Sequence, residues 1–275
     1  MIRSLDEFRQ ASIKKLGKIS DDPLREYMEL FSAATGLSKA YALTNFFEVN
    51  SKRFEDLRLL EKYISQRCAG IPIPYITGIE GFWKKEFRVT TDTLIPRPET
   101  ELLVELILSE NRRENLKVLD LGTGAGVIGI SIAEEMPSWN ILATDISLLA
   151  LREAKINSLG LKNINFVQCF WLNSIRANFD IIVSNPPYIC NDDPHLENLR
   201  HEPRLALEGG GDGLDPAREI IKKAKKNLME KGRLYLEHGY DQKDNVLQIL
   251  RQNDFFTIRT YEDFAGHDRV IRAQS

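Results

Sequence analysis

The chain has 275 residues, of which 43% are apolar and 28% charged, with a formal net charge of −3. This composition is typical of a globular protein with one large or two smaller domains, and it provides no basic field for duplex nucleic acid. No run of about 18 apolar residues and no apolar amino-terminal segment occurs, so we expect a cytoplasmic protein with no membrane partner.

Residues 1–68 are predicted to form a small helical domain. Apolar residues recur at helical spacing from Leu24 to Phe31 and again from Phe54 to Ile64. Asp21-Asp22-Pro23 is a helix start signal, with Pro23 in the first turn. No catalytic grouping is visible in this stretch.

Residues 69–98 are predicted to connect this domain to the rest of the chain. The prolines and glycine of Gly70–Tyr75 interrupt the helices. Alternating apolar residues from Ile76 to Val89 then predict a short β-hairpin.

Residues 99–275 alternate between predicted strands and helices, which indicates an α/β fold with a doubly wound, mostly parallel sheet. The predicted strands are 117–121, 140–145, 163–167, 179–184, 232–237, 254–260 and 269–273. The predicted helices are 99–110, 125–136, 147–158, 215–230 and 241–252.

Four residues, Asn185-Pro186-Pro187-Tyr188, follow the predicted strand Phe179–Ser184 directly. The prolines lack the N–H that a strand ladder needs, so the tetrapeptide lies at the carboxyl end of the strand, where open α/β sheets bind ligands. Its amide, its carbonyls and its aromatic face suit a flat substrate that carries an NH2 group. A proline-terminated strand with a core tyrosine is the structural alternative. The long polar loop 189–214 is expected to cover or shape this site.

A glycine-rich turn follows the strand Val118–Leu121 and opens a helix, and Asp145 ends the next strand. At that position a carboxylate can accept hydrogen bonds from both hydroxyls of a ribose, which nicotinamide dinucleotides and S-adenosylmethionine both carry. The turn has the spacing Gly-x-Gly-x-Gly, and the acidic Asp120 before it favours the cationic end of S-adenosylmethionine over a pyrophosphate. Trp171 is positioned either to contact an adenine ring or to pack in the core. The residues of the turn are Gly122, Thr123, Gly124, Ala125 and Gly126.

The turn, Asp145 and the tetrapeptide together resemble class I S-adenosylmethionine-dependent methyltransferases that methylate amino or amide nitrogens. Adenine-N6 nucleic-acid methyltransferases share that outline, but further motifs resemble the release factor glutamine methyltransferases of the PrmC/HemK family. They are Pro74–Gly78, Phe82-Trp83, Leu94–Glu101, His201–Leu207, Asp212–Asp215 and Asp268–Val270.

This resemblance implies a helical substrate-recognition domain joined by a hairpin to a seven-stranded catalytic domain. It implies transfer of a methyl group from S-adenosylmethionine, leaving S-adenosylhomocysteine, to N5 of the glutamine in the Gly-Gly-Gln motif of peptide chain release factors. A glutamine methyltransferase acting on a ribosomal protein is the nearest alternative, and a binding protein that retains the methyl donor as a structural ligand is another. We expect a monomer.

Carried over by motif, the cofactor would contact residues 122–126, Asp145, Trp171 and Asn185. The substrate glutamine would contact Asn185, Pro186, Pro187 and Tyr188; of these, Asn185, Pro186 and Tyr188 are the predicted catalytic residues. No metal is expected, because the chemistry needs only positioning. One position departs from the family: an acidic residue commonly precedes the tryptophan in relatives, whereas this chain has Phe170.

Overall fold

The computed structural model describes residues 5–37 and 54–275. The chain divides into two compact units, Met1–Ile79 and Glu80–Ser275. The parts of the helical prediction that fall on residues 1–4 and 38–53 lie outside the described residues. Within the described ranges, no helix is long and apolar enough to cross a membrane.

The first unit is helical, as predicted. Asp22 begins its second helix by accepting a hydrogen bond from the Arg25 backbone N–H at 3.1 Å, and Gly36 ends the helix in a left-handed conformation. Residues 76 and 77, predicted to begin a hairpin, instead lie in a one-turn helix, because Pro74 fits a first helical turn and Gly78 caps its end. The described helices are α1 (Leu5–Leu16), α2 (Pro23–Thr35), α3 (Phe54–Cys68) and α4 (Ile73–Thr77).

Apolar faces of these helices form a separate core. Its buried members are Leu16, Tyr27, Met28, Leu30, Phe31, Ala34, Leu60, Ile64 and Ile76. Arg67 of α3 also donates two hydrogen bonds to Glu26 of α2, each 2.9 Å long, in the bidentate geometry that guanidinium and carboxylate groups favour.

The second unit is an α/β domain. A hairpin of β1 (Ile79–Phe82) and β2 (Lys85–Arg88) lies at its amino-terminal boundary, and a 3₁₀ turn (Pro98–Thr100) leads into its first helix. Its helices are α5 (Glu101–Glu110), α6 (Val127–Glu135), α7 (Leu148–Asn157), α8 (Asp215–Asn227) and α9 (Lys243–Gln252). Its strands are β3 (Lys117–Leu121), β4 (Asn140–Asp145), β5 (Ile164–Gln168), β6 (Phe179–Ser184), β7 (Leu228–Glu237), β8 (Phe256–Glu262) and β9 (Asp268–Gln274).

These seven strands form one sheet in the order β5-β4-β3-β6-β7-β9-β8. Strands β3 to β7 are parallel, and β9 runs antiparallel to both of its neighbours. The strand order reverses between β3 and β6, so these two strands diverge into opposite halves of the sheet. A reversal of this kind opens a crevice at the carboxyl ends of the strands.

Both faces of the sheet are covered by helices, which explains why its central strands have continuous apolar sequences. On β6, Ile181 and Val183 pack into the core on the side of α5 and α6, whereas Ile182 packs on the side of α8 and α9. The predicted doubly wound sheet is therefore confirmed.

Two predicted boundaries were wrong at one point of the chain: a helix ends three residues earlier than predicted, and the next strand begins at Leu228 rather than at residue 232. The helix prediction 215–230 continued past Asn227, but Leu228 already pairs with Phe179 of β6. The apolar pair Leu228-Met229 fits either element by periodicity, and sheet pairing decided the outcome.

Candidate active site

The predicted site residues come together at the crevice. Gly122 follows β3, Asp145 ends β4 and Asn185 follows β6. Because β3 pairs with both other strands in parallel register, these three residues lie along one edge of the sheet.

A cleft of about 900 Å³, including its open mouth, occupies this edge, and we call it the first cavity. Strand ends form one side of it, and two connecting segments form the other. Its lining residues are Asp92, Thr93, Leu94, Gly122, Gly124, Asp145, Ile146, Ser147, Ala150, Cys169, Phe170, Trp171, Asn185, Pro187, Pro203, Leu205 and Ala206.

The glycine turn presents backbone to the first cavity at Gly122 and Gly124. Gly122 has φ +69°, and a Cβ there would lie 3.3 Å from Cζ3 of the Trp171 ring. A side chain at this position would therefore be strained and would crowd the tryptophan. The other residues of the turn do not line the cavity: Thr123 and Ala125 are buried, and Gly126 caps α6 with φ +89°.

Asp145 is held by two backbone groups. Its Oδ2 accepts from the Gly124 N–H at 2.9 Å, and its Oδ1 accepts from the Ser147 N–H at 2.8 Å. Burial raises the pKa of this carboxyl, although the backbone hydrogen bonds oppose the shift. Each carboxylate oxygen still has capacity for a further hydrogen bond, so the group can accept two ligand hydroxyls.

Asp120 lies behind the turn and is fully buried. Its Oδ2 accepts from the Thr123 hydroxyl at 2.6 Å and from the Gly129 N–H at 3.0 Å. Burial raises its pKa to about 6. The carboxylate thus fastens the turn to the start of α6, and any effect on a ligand acts through the charge rather than by contact.

Two aromatic side chains form one wall of the first cavity. The Phe170 and Trp171 ring centroids lie 6.0 Å apart at an interplanar angle of 50°, and Phe170 is 47% exposed. Sequence reasoning identified Phe170 only as a missing acidic residue. In the structure it extends the apolar wall that a flat heterocycle would contact.

The tetrapeptide separates the first cavity from a second one, which encloses about 1640 Å³ including open solvent. Asn185 and Pro187 line both cavities, together with Leu94 and Ala206. Pro186 and Tyr188 line only the second. Asn185 is therefore the polar side chain common to both cavities.

The Asn185 amide is fixed by a neighbour. Its Nδ2 donates to the Thr100 Oγ1 at 3.0 Å, which directs Oδ1 away from Thr100. Nearby, the Tyr188 hydroxyl lies 3.4 Å from Glu237 Oε1 at the end of β7. Burial and the Glu237 charge both raise the pKa of Tyr188, so its hydroxyl stays protonated.

The second cavity carries two anchored arginines, Arg97 and Arg269. Arg97 donates to Glu202, and Arg269 donates to Asp263 Oδ2 through Nε at 3.2 Å and Nη2 at 3.1 Å. Arginines held by carboxylates keep a fixed orientation and can present remaining N–H groups to carbonyl oxygens.

Residues of the loop 189–214, which was predicted to cover or shape the site, line both cavities. Glu202, 5% exposed, accepts from the Ile95 N–H at 3.0 Å and from Arg97, so it ties this loop to the segment before α5. Gln242 holds the loop elsewhere by donating to the carbonyls of Tyr188 and Gly213, at 3.0 and 3.3 Å. The residues flanking the cavities are therefore braced from several elements.

Sequence reasoning did not assign a role to Thr100, Glu237, Arg97 or Arg269. Thr100 and Arg97 belong to the motif Leu94–Glu101, and Arg269 belongs to Asp268–Val270. Glu237 ends a strand whose last four residues are buried, and a charged residue at the carboxyl end of a strand is a recognisable signal in this fold class.

This fold, with a glycine turn, an acidic residue ending the next strand and Asn-Pro-Pro-Tyr at the switch point, defines a methyltransferase of the doubly wound class. The family model described as "Methyltransferase small domain" matches residues 98–212, and "PrmC N-terminal domain" matches residues 7–78. Relatives named "Release factor glutamine methyltransferase" include that of Coxiella burnetii, 44% identical over 79% of this chain and 80% of its own. The Aliivibrio fischeri protein of that name is 36% identical over 100% of this chain and 98% of its own. The chain belongs to the release factor glutamine methyltransferase family.

Solved structures support the fold. A methyltransferase from Pyrococcus furiosus superposes with a TM-score of 0.52 at 17% identity, covering 68% of this chain and 87% of its own. A ribosomal protein L11 methylase from Lactobacillus delbrueckii superposes with a TM-score of 0.50 at 22% identity, covering 68% and 83%.

Proposed function

We propose that this protein transfers a methyl group from S-adenosylmethionine to N5 of the glutamine in the Gly-Gly-Gln motif of peptide chain release factors. The observation that carries the proposal is the position of Asn185, whose side chain lies at the boundary of the two cavities. A group bound in one cavity meets a group bound in the other at this residue.

The first cavity fits S-adenosylmethionine. Gly122 offers a backbone surface that a Cβ would obstruct, and the Asp145 carboxylate has free acceptor capacity for the two ribose hydroxyls. The wall formed by Phe170 and Trp171 suits the adenine ring. We propose that these residues and Gly124 hold the cofactor and that Asn185 contacts it at the boundary of the cavities, while Thr123, Ala125 and Gly126 set the backbone conformation of the turn. When bound, it supplies an electrophilic methyl group on a sulfonium centre.

The second cavity suits the glutamine side chain. A primary amide has two N–H hydrogens, and we assign their acceptors as Asn185 Oδ1 and the Pro186 carbonyl. The Tyr188 ring, which lines the same cavity, would pack against the plane of the amide. Pro187 would complete the wall.

Positioning is the main catalytic requirement. An amide nitrogen is a weak nucleophile because its lone pair is delocalised into the carbonyl. Two fixed acceptors orient that nitrogen and stabilise the positive charge that develops on its hydrogens as the bond forms. The N-methylated amide then loses one proton, for which water in the open second cavity is an adequate acceptor.

We also propose a division of labour along the chain. Residues 1–68 would recognise the release factor, 69–98 would connect, and 99–275 would carry the chemistry. The family match over residues 7–78 supports a distinct role for the helical part.

The direct test is incubation with labelled S-adenosylmethionine and, separately, a release factor, ribosomal proteins and DNA, with mass spectrometry to locate the label. We expect label on the Gly-Gly-Gln glutamine alone. Label on DNA or on a ribosomal protein glutamine, with none on the release factor, would overturn the proposal.

Two variants separate the two halves of the site. Asn185→Ala should lower kcat by about 100-fold or more, as loss of a preorganised group does elsewhere, while largely preserving cofactor affinity. Asp145→Ala should raise the cofactor Kd by about 100-fold, because two hydrogen bonds to a charged group are lost. Asp244→Ala, which removes an exposed carboxylate in the first turn of α9, is the matched control. Unchanged affinity in Asp145→Ala, measured by calorimetry, would contradict the ribose assignment.

A further inference from the structure

Two buried polar side chains near Asn185 line neither cavity and have no role in the chemistry described so far. Thr100 is 3% exposed and ends the 3₁₀ turn before α5, and Glu237 is 1% exposed and ends β7. We propose that Thr100 and Glu237 are positioning residues that fix the orientation of the Asn185 amide, so that its oxygen faces the substrate. This inference rests on the proposed function for its catalytic consequence, but not for its geometry.

The sheet brings the three residues together. Ser184 of β6 pairs with Leu236 of β7, so Asn185, which follows β6, and Glu237, which ends β7 and pairs with Val270 of β9, lie at the same level of the sheet. Thr100 reaches both from a different element. Its Oγ1 lies 3.0 Å from Asn185 Nδ2, and its side chain is near enough to Glu237 to lower the pKa of that carboxyl.

The hydroxyl of Thr100 determines which end of the Asn185 amide faces it. A threonine hydroxyl has one proton to donate, and an ionised carboxylate can only accept. We infer that an ionised Glu237 draws the hydroxyl proton towards itself, since the Thr100 side chain lowers the pKa of that carboxyl, and the Thr100 oxygen must then accept from its other neighbour. Asn185 can meet that demand only with its NH2 group, which leaves Oδ1 free for the substrate.

When Glu237 is neutral, the Thr100 oxygen no longer has to accept a hydrogen bond from Asn185. A protonated carboxyl can donate to Thr100, whose own proton then becomes available to the Asn185 oxygen, and the amide loses its preferred orientation. Burial raises the pKa of Glu237 to about 7. The groups that face it are the hydroxyls of Tyr188 and Thr100 and the charges of Arg269 and Glu99. Glu237 Oε2 has no partner in hydrogen-bonding geometry within residues 5–37 and 54–275.

The decisive variant is Thr100→Val, which keeps the shape of the side chain and removes the hydroxyl. We expect kcat for release factor methylation to fall about tenfold, the effect of one ordinary hydrogen bond, with unchanged cofactor Kd. Thr100→Ser should restore kcat. Ser131→Ala, which removes another buried hydroxyl outside both cavities, should match the wild type.

The pH profile provides a readout that a structural role would not change. Because Glu237 must be ionised, wild-type kcat should fall as the pH drops through about 7. This acid limb should be absent in Thr100→Val. If the wild-type enzyme methylates the release factor and Thr100→Val keeps both the wild-type kcat and the acid limb, the positioning role is refuted. The proposed function would remain intact.

A spectroscopic arm is independent of catalysis. The side-chain NH2 resonance of Asn185, assigned by its loss in Asn185→Asp, should shift with an apparent pKa near 7 in the wild type and in Thr100→Ser. It should not titrate in Thr100→Val or Glu237→Gln. If the wild type methylates no release factor, the proposed function fails, but the NMR titration still tests the positioning role. An Asn185 resonance that does not shift with pH in the wild type overturns the positioning role.

Discussion

The buried carboxyl of Asp120 makes a quantitative prediction about stability. Its pKa is raised to about 6 from an ordinary value of 3.8, because burial outweighs the hydrogen bonds from Thr123 and Gly129. A raised pKa means that the folded state binds the proton more tightly than the unfolded state does. The resulting stabilisation is complete below 3.8 and is lost as the pH rises through about 6.

The magnitude follows from the two pKa values. A difference of about two units corresponds to about 3 kcal/mol at most, and about 2 kcal/mol of it falls between pH 4.5 and 8. Asp120→Asn removes the titration and keeps an oxygen to accept from Thr123 and Gly129. Relative to this variant, the wild type should lose about 2 kcal/mol of unfolding free energy over that interval.

Urea unfolding followed by circular dichroism at several pH values measures this difference. Asp212→Asn is the control, because the pKa of Asp212 is shifted in the opposite direction: Arg218 lowers it to about 2. Its free-energy difference from the wild type should stay constant from pH 4.5 to 8. Parallel pH dependence of the wild type and Asp120→Asn would show that the Asp120 carboxyl does not titrate as its burial requires.

Two further changes have defined outcomes. Gly126→Ala should lower the unfolding free energy by about 1–2 kcal/mol, because φ is +89° and the new Cβ would lie 2.5 Å from Ile130 Cδ1. Urea unfolding measures this change, and Gly81→Ala, at a position with open space around it, is the control. Trp171→Ala should raise the cofactor Kd, measured by calorimetry, about tenfold through loss of aromatic contact. Phe264→Ala, at a fully exposed position, should leave the Kd unchanged. If Trp171→Ala bound the cofactor as tightly as the wild type, Trp171 would not belong to the cofactor site.

Much of the fold followed from periodicity. The central strands β3, β4 and β6 begin and end where predicted, because each is a short apolar run bounded by a glycine turn, an aspartate or prolines. Residues 76–77 and 228–230 were misplaced, since short apolar segments fit a helix or a strand equally and long-range pairing decides between them.

The location of a candidate site residue could be predicted from the sequence where it depends on the residue's position along a strand. Asp145 ends β4 and Asn185 follows β6, and both strands pair with β3, so position along the strands placed both residues at one edge of the sheet. Thr100 could not be connected to Asn185 in this way, because it lies in a 3₁₀ turn outside the sheet. Glu237 ends a strand, but its strand position does not show which side chains it meets. Their relation depends on side-chain packing at the end of β7, which no sequence period encodes.

The boundary at Asn185 and Pro187 has a consequence for inhibitor design. Both cavities open to solvent and meet at these residues, so one molecule can occupy them simultaneously. With S-adenosylmethionine and the glutamine in the two cavities as proposed, a compound joining an adenosine group to a primary carboxamide through a short linker would bind across the boundary, and its second group would benefit from a high effective concentration. Such a bivalent ligand would select this enzyme over methyltransferases whose second cavity takes a different substrate.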